Sequence, residues 1–202
     1  MRLDFLKVMA LSGGDWVIYL LLAASVLAAA VIAERAYVLS GETRRLRALK
    51  ESLGAPLAAG DRKGIEGAVG AAAGAASRIL ASCLAAGGRG AAEDRLVAAT
   101  LDERRFLETR LLILGTLGSN APFVGLFGTV LGVIRAFHDL SSDSGAGPEV
   151  VMRGLSEALV ATAVGLFVAI PCVIAYNYLQ KRVSDLLSSV EALSRLILAA
   201  GK

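Results

Sequence analysis

Thr129, Thr162 and Glu157 are the side chains in and beside the apolar stretches whose chemistry needs an account. A threonine hydroxyl donates and accepts hydrogen bonds without carrying a charge. Glu157 precedes Thr162 by five residues, about 7.5 Å along a helix axis. Taken singly, each threonine also has a plain reading, a bond back to its own helix at i−4. Glu157 has two: an ionisable group at membrane depth, costly and therefore functional, or an interfacial residue wetted by an outer loop. The one histidine, His138, stands beside Asp139 with no nucleophile–base set, so a solvated loop residue is expected and an enzyme is not.

The elements that must position these groups are marked by missing charge. No Asp, Glu, Lys or Arg occurs between Asp15 and Glu34, between Arg110 and Arg135, or between Glu157 and Lys181. Each stretch approaches or exceeds the ~20 residues that cross a ~30 Å hydrocarbon layer as a helix. With 55% apolar residues and only 19% charged, the 202-residue chain reads as an all-α integral membrane protein with three spans. The expected segments are 1–15, a short periplasmic or interfacial piece; 16–33, the first span; and 34–110, a cytoplasmic helical loop. Then follow 111–134, the second span; 135–157, a periplasmic loop and the start of the third helix; 158–179, the third span; and 180–202, a cytoplasmic helical tail. Trp16–Ala33 is longer than the ~7–15-residue apolar core of a signal peptide, which predicts an anchor.

Basic residues set the orientation. Arg35, Arg44, Arg45, Arg47 and Lys50 follow the first span, Arg95, Arg104, Arg105 and Arg110 precede the second, and Lys181 and Arg182 follow the third. The connection between the second and third spans carries only Arg135 and Arg153, with Asp139, Asp143 and Glu149. Counting positive charge near the span ends puts the long loop and the tail in the cytoplasm and the N-terminus in the periplasm. The net charge of +3 belongs to this topology and forms no stripe with interleaved aromatics, so nucleic acid is not expected as a partner. Cys83 and Cys172 fall in different regions of the plan, so neither a disulfide nor a metal site is expected; no cofactor is implied.

Within the loop, residues 34–53 read as a helix continuing the first span and ending at Gly54-Ala55-Pro56. Leu57–Gly90 is Ala- and Gly-rich, with Ile65, Val69, Ile79, Leu80 and Leu84 spaced as in small packed helices, against the plainer reading of a flexible linker. From Ala91 the pattern predicts one long helix running into the second span, and Met1–Leu11 a short interfacial helix.

The second and third spans carry more than an anchor needs. Gly118, Ala121, Gly125, Gly128 and Gly132 place small residues along one face, and Ala158, Ala161, Gly165, Ala169 and Cys172 repeat the device. Small faces let membrane helices approach closely. Pro122 and Pro171 each remove one backbone hydrogen bond, predicting kinks, or carbonyls open to water or a partner.

Asn120-Ala-Pro-Phe-Val-Gly-Leu-Phe-Gly-Thr-Val-Leu-Gly-Val-Ile134 resembles the second-span signature of the ExbB/TolQ proteins, within the MotA/TolQ/ExbB proton channel family. Gly154-Leu-Ser-Glu-Ala-Leu-Val-Ala-Thr-Ala-Val-Gly-Leu-Phe-Val-Ala-Ile-Pro171, followed by Tyr176-Asn177, resembles the third. The motifs stand in the right order, and residues 34–100 match in general character only. The resemblance implies a ring-forming homopentamer in the bacterial inner membrane. Its second and third spans would line a pore holding single helices of two copies of an ExbD/TolR-type partner. It further implies that Thr129 and Thr162 line that pore, that Glu157 serves function, and that the proton-carrying aspartate belongs to the partner. The charge map agrees, because no carboxylate lies inside any charge-free span and a titrating group at mid-membrane must come in trans. The expected function is a proton-channel or stator subunit converting proton motive force into mechanical work on a TonB/TolA-like protein. The competing reading is a non-conducting scaffold or transporter subunit that uses the small faces for packing alone.

Overall fold

The computed structural model describes residues 14–142 and 148–200, and every described element is an α-helix. In chain order these are α1 (Asp15–Ala59), α2 (Arg62–Ala71), α3 (Ala75–Leu84), α4 (Arg89–Glu108), α5 (Leu111–Ser142) and α6 (Pro148–Ala200). The segment Met1–Leu11, expected as an interfacial helix, lies outside the described residues.

α1, α5 and α6 are each long and apolar enough to cross a membrane. Only 22%, 28% and 33% of their most apolar windows is buried by the chain itself. Tyr19, Val26, Phe123 and Phe167 are among the large side chains left exposed. Such a surface is unstable in water and needs lipid or other chains to cover it.

The chain divides into two compact units. The first takes in the start of α1 up to Ile32 and residues Leu112–Tyr176 of α5 and α6. Its interior is thin and built from small or branched residues, among them Val17, Leu21, Ala121, Ala161, Val168 and Cys172. α5 continues through Ser142, so residues 135–142, expected in a loop, are helical. His138 is therefore an exposed helical residue; its carbonyl accepts the hydroxyls of Ser141 and Ser142 at 2.8 and 2.9 Å. Pro122 and Pro171 both sit inside continuous helices.

The second unit comprises Ala33–Leu111 and the chain from Asn177 onward. Leu46, Leu49 and Leu53 of α1, Ile65 and Val69 of α2, Ile79, Leu80 and Cys83 of α3, and Val183, Val190 and Ile197 of α6 are buried in it. The Ala/Gly-rich stretch thus forms short amphipathic helices. Glu42, buried on α1, accepts the Ala75 amide at 2.8 Å and so caps α3, while Gly74 supplies the φ of 112° needed just before it. Arg78 of α3 grips Glu103 of α4 through two hydrogen bonds of 2.5 and 2.7 Å.

Two expected boundaries are corrected. α1 does not stop at Gly54-Ala55-Pro56; it carries Pro56 inside and ends three residues later, at Ala59. There Gly60 takes φ 64°, its amide bonds to the Leu57 carbonyl, and the Asp61 amide bonds to the Pro56 carbonyl. That pair of bonds is the Schellman stop, which Gly60 permits and Gly54 does not form. The second correction concerns α4, which does not run into α5. It ends at Glu108, and Arg110 adopts φ 67°, uncommon for a residue with a side chain. The Arg110 guanidinium bonds to Glu34, which also accepts from Arg35 at 2.7 Å.

Candidate functional site

The seam between α5 and α6 is made by backbones brought together. A Cβ placed on Gly125 would lie 2.7 Å from the Ala161 carbonyl oxygen, and one on Gly165 would lie 2.6 Å from that of Ala121. Gly118 faces Val173, Gly128 faces Ala161 and Val17, and Gly132 faces Ala158 at similar separations. The two helices run antiparallel, each glycine occupying a position where any side chain would force them apart. Gly154 extends the seam outward against Ala136, with a Cβ separation of 2.6 Å. That rung was missed, although Ala136 and Gly154 continue the spacing of Gly132 and Ala158.

Close approach places Thr129 and Thr162, half-buried and 33 residues apart, in a direct hydroxyl–hydroxyl hydrogen bond. Thr129 Oγ1 also lies 3.2 Å from the Gly125 carbonyl and 3.4 Å from the Ala158 carbonyl. A hydroxyl donates only once. A consistent arrangement has Thr162 donating to Thr129 and Thr129 donating to Gly125. The bond back to its own helix and the bond to its partner therefore coexist at Thr129. The pair carries no charge, and each hydroxyl can both donate and accept.

Glu157 is not part of this pair. It is exposed and accepts a hydrogen bond from Arg153, one turn earlier, at 3.2 Å. It lines a cleft of about 250 Å³ with Asp15, Arg135, Asp139 and Arg153. Arg135 stands 3.8 Å from Asp15 and 3.9 Å from Asp139. The cleft wall includes Gly132, Ala158 and Ala161. Ala158 is thus shared: its side chain borders the charged cleft and its carbonyl faces the Thr129 hydroxyl. Asp15 and Arg135 had served only as topology marks in the sequence, and Asp139 only in the loop's charge count. Part of the signal was available, because Asp15, Arg135 and Glu157 are each the charged residue nearest the same end of an apolar stretch.

Among the described residues, no group of His, Cys, Asp and Glu side chains is placed to hold a metal. Cys83 and Cys172 are free, buried thiols. The site consists of uncharged hydroxyls below a charged rim.

A model of the MotA/TolQ/ExbB proton channel family matches residues 72–192, more than half of the chain. The chain belongs to this family. The match takes in the seam, both threonines and Glu157, and it leaves out the whole of α1. Relatives include the Tol-Pal system protein TolQ of Pseudomonas aeruginosa, 47% identical over 93 residues, covering 46% of this chain and 40% of that protein. TolQ of Haemophilus influenzae is 51% identical over 78 residues, 39% of this chain and 34% of its own length. The biopolymer transport protein ExbB of Helicobacter pylori strain J99 is 50% identical over 97 residues, 48% of this chain and 63% of the relative. The chain spans less than two thirds of the length of these relatives. Membership accounts for three long apolar helices whose outward faces the chain leaves uncovered: this is a membrane protein of the ExbB/TolQ group.

Proposed function

We propose that this chain is the channel subunit of an ExbB–ExbD or TolQ–TolR type motor in the bacterial inner membrane. In this reading it is a homopentamer with a periplasmic N-terminus and a cytoplasmic C-terminus. Thr129 and Thr162 face an axial cavity occupied by single helices of an ExbD/TolR-like partner, whose aspartate carries the proton. Work leaves through a TonB/TolA-like protein.

The observation that carries the reading is the coupled hydroxyl pair in spans devoid of carboxylates. A proton crossing the hydrocarbon layer needs a titrating group there, and this chain offers only neutral donors and acceptors. Protonating a partner carboxylate removes its desolvation cost and frees its helix to move against the ring. The membrane potential contributes ~2.3 kcal/mol per charge per 100 mV, enough for one proton to bias one step. Glu157 and the cleft rim lie toward the periplasm in this orientation, where they concentrate protons above the hydroxyl pair.

The test is proton flux in liposomes holding this chain with and without a single-span protein of the ExbD/TolR type. Flux is expected only with both proteins and only while the partner retains its membrane aspartate. A tight co-assembly without flux supports the scaffold reading instead.

A further inference from the structure

Arg47 and Lys50 of α1 and Arg182 of α6 line one groove of about 260 Å³ in the second unit, with the hydroxyls of Thr43 and Ser189 in its walls. None of the three cations meets a carboxylate within 4.0 Å among the described residues. The one acid in the wall, Asp185, is taken by Lys181 at 2.9 Å. Membrane topology asks only that basic residues stand near a span end, on any face. It does not ask that two helices bring three of them to one groove without a counter-charge, where they repel one another.

The height of the groove is marked by aromatic residues. Tyr37 and Tyr178 are 83% and 57% exposed, and outward tyrosines collect where hydrocarbon meets headgroups. The charges that follow Glu34 on α1 are Arg35 and Glu42, both buried, so the next exposed charge is Arg44. The outward surface of α1 therefore stays uncharged for seven residues past Glu34 and its neighbour Arg35, with Tyr37 in it. On α6, Arg182 comes four residues past Tyr178, about 6 Å along the axis. Its guanidinium lies over that ring, 5.5 Å from the centroid.

Arg47 and Lys50 stand further out, ten and thirteen residues past Tyr37. Both helices run away from their apolar stretches, and helical side chains lean toward the N-terminus. The long stems of Arg47 and Lys50 thus lean back toward the level of the tyrosines. Cations just beyond an aromatic level stand where phospholipid phosphates lie, and a basic pocket between helices at that height suits an anionic headgroup.

We propose that this groove binds the phosphate of an anionic phospholipid, with the Arg47 and Arg182 guanidiniums on its oxygens and Lys50 adding charge. In the orientation given above the lipid belongs to the cytoplasmic leaflet. The site itself requires only that the chain spans a membrane.

The test uses full-length protein stripped of phospholipid in detergent and titrated with phosphatidylglycerol or phosphatidylcholine, bound lipid being counted by native mass spectrometry. Wild type should bind phosphatidylglycerol at least tenfold more tightly. Arg47→Gln/Lys50→Gln/Arg182→Gln should erase that preference, and Arg182→Gln alone should weaken it at least threefold. Arg62→Gln/Arg89→Gln/Arg195→Gln removes equal charge from residues that each pair with an acid on their own helix, and should keep the preference. Equal affinity for the two lipids in wild type overturns the proposal without recourse to any variant. Groove variants that retain the full preference also overturn it, as does a control that loses it, since net charge alone then governs binding. An excess of glycerol phosphate should displace no lipid; displacement assigns the groove to a free phosphate and overturns the lipid source. Proton flux plays no part in these readings, so their failure leaves the channel proposal standing.

Discussion

Thr129 and Thr162 bond to each other across the seam, and Glu157 bonds to Arg153 in the rim, so the three residues separate into two kinds of group. Glu157→Gln removes a charge from the cleft while keeping its shape. The expected result is slower proton-driven function with unchanged assembly and thermal stability; a Gln variant with full activity would reduce Glu157 to an interfacial residue. A second carboxylate responds to pH differently. The Arg35 and then the Arg110 guanidinium beside Glu34 hold its carboxyl below its ordinary value near 4.5. A depressed folded-state value means that the stabilisation is present above the ordinary range and is lost as pH falls through the lowered one. The stability advantage of wild type over Glu34→Gln should therefore persist on acidification to about that ordinary value and vanish below it. An advantage already gone at pH 6 would contradict the pairing.

At the scale of elements, much was written in the sequence, and the exceptions have physical causes. The apolar stretches were legible because no charge interrupts them, and the glycine spacing announced two faces that tolerate no side chain. The end of α1 was misread because Pro56 drew attention, while the stop is made by a positive φ at Gly60. The break between α4 and α5 was illegible, since Arg110 has no local preference for φ 67° and its partner Glu34 lies 76 residues away. The charged cleft was legible only at the span ends that Asp15, Arg135 and Glu157 mark, and its assembly was not. Its charged residues come from three helices and become neighbours only once the seam sets their heights. The seam itself makes a sharp prediction. Gly125→Val would push a side chain against the Ala161 carbonyl and the Thr162 Cα, 2.7 and 3.1 Å from the added Cβ. Overpacking of this kind costs ~1–3 kcal/mol. Thermal denaturation in detergent should register it as a lowered Tm, whereas Gly41→Ala, in mid-helix with nothing within 4 Å of its Cβ, should hold Tm or raise it.

For the whole molecule, the spans bury only a minor share of their own apolar surface, and they carry hydroxyls but no carboxylate. Both facts support the proposed reading, in which other chains complete the channel. The most direct measurement is proton flux through liposomes containing this protein and a single-span protein of the ExbD/TolR type, comparing wild type with the Thr129→Val/Thr162→Val double variant. Valine keeps the shape of threonine and removes both hydroxyls, so the complex should retain its mass while flux falls at least tenfold. Undiminished flux through a double variant of correct mass would contradict the role given to the hydroxyl pair.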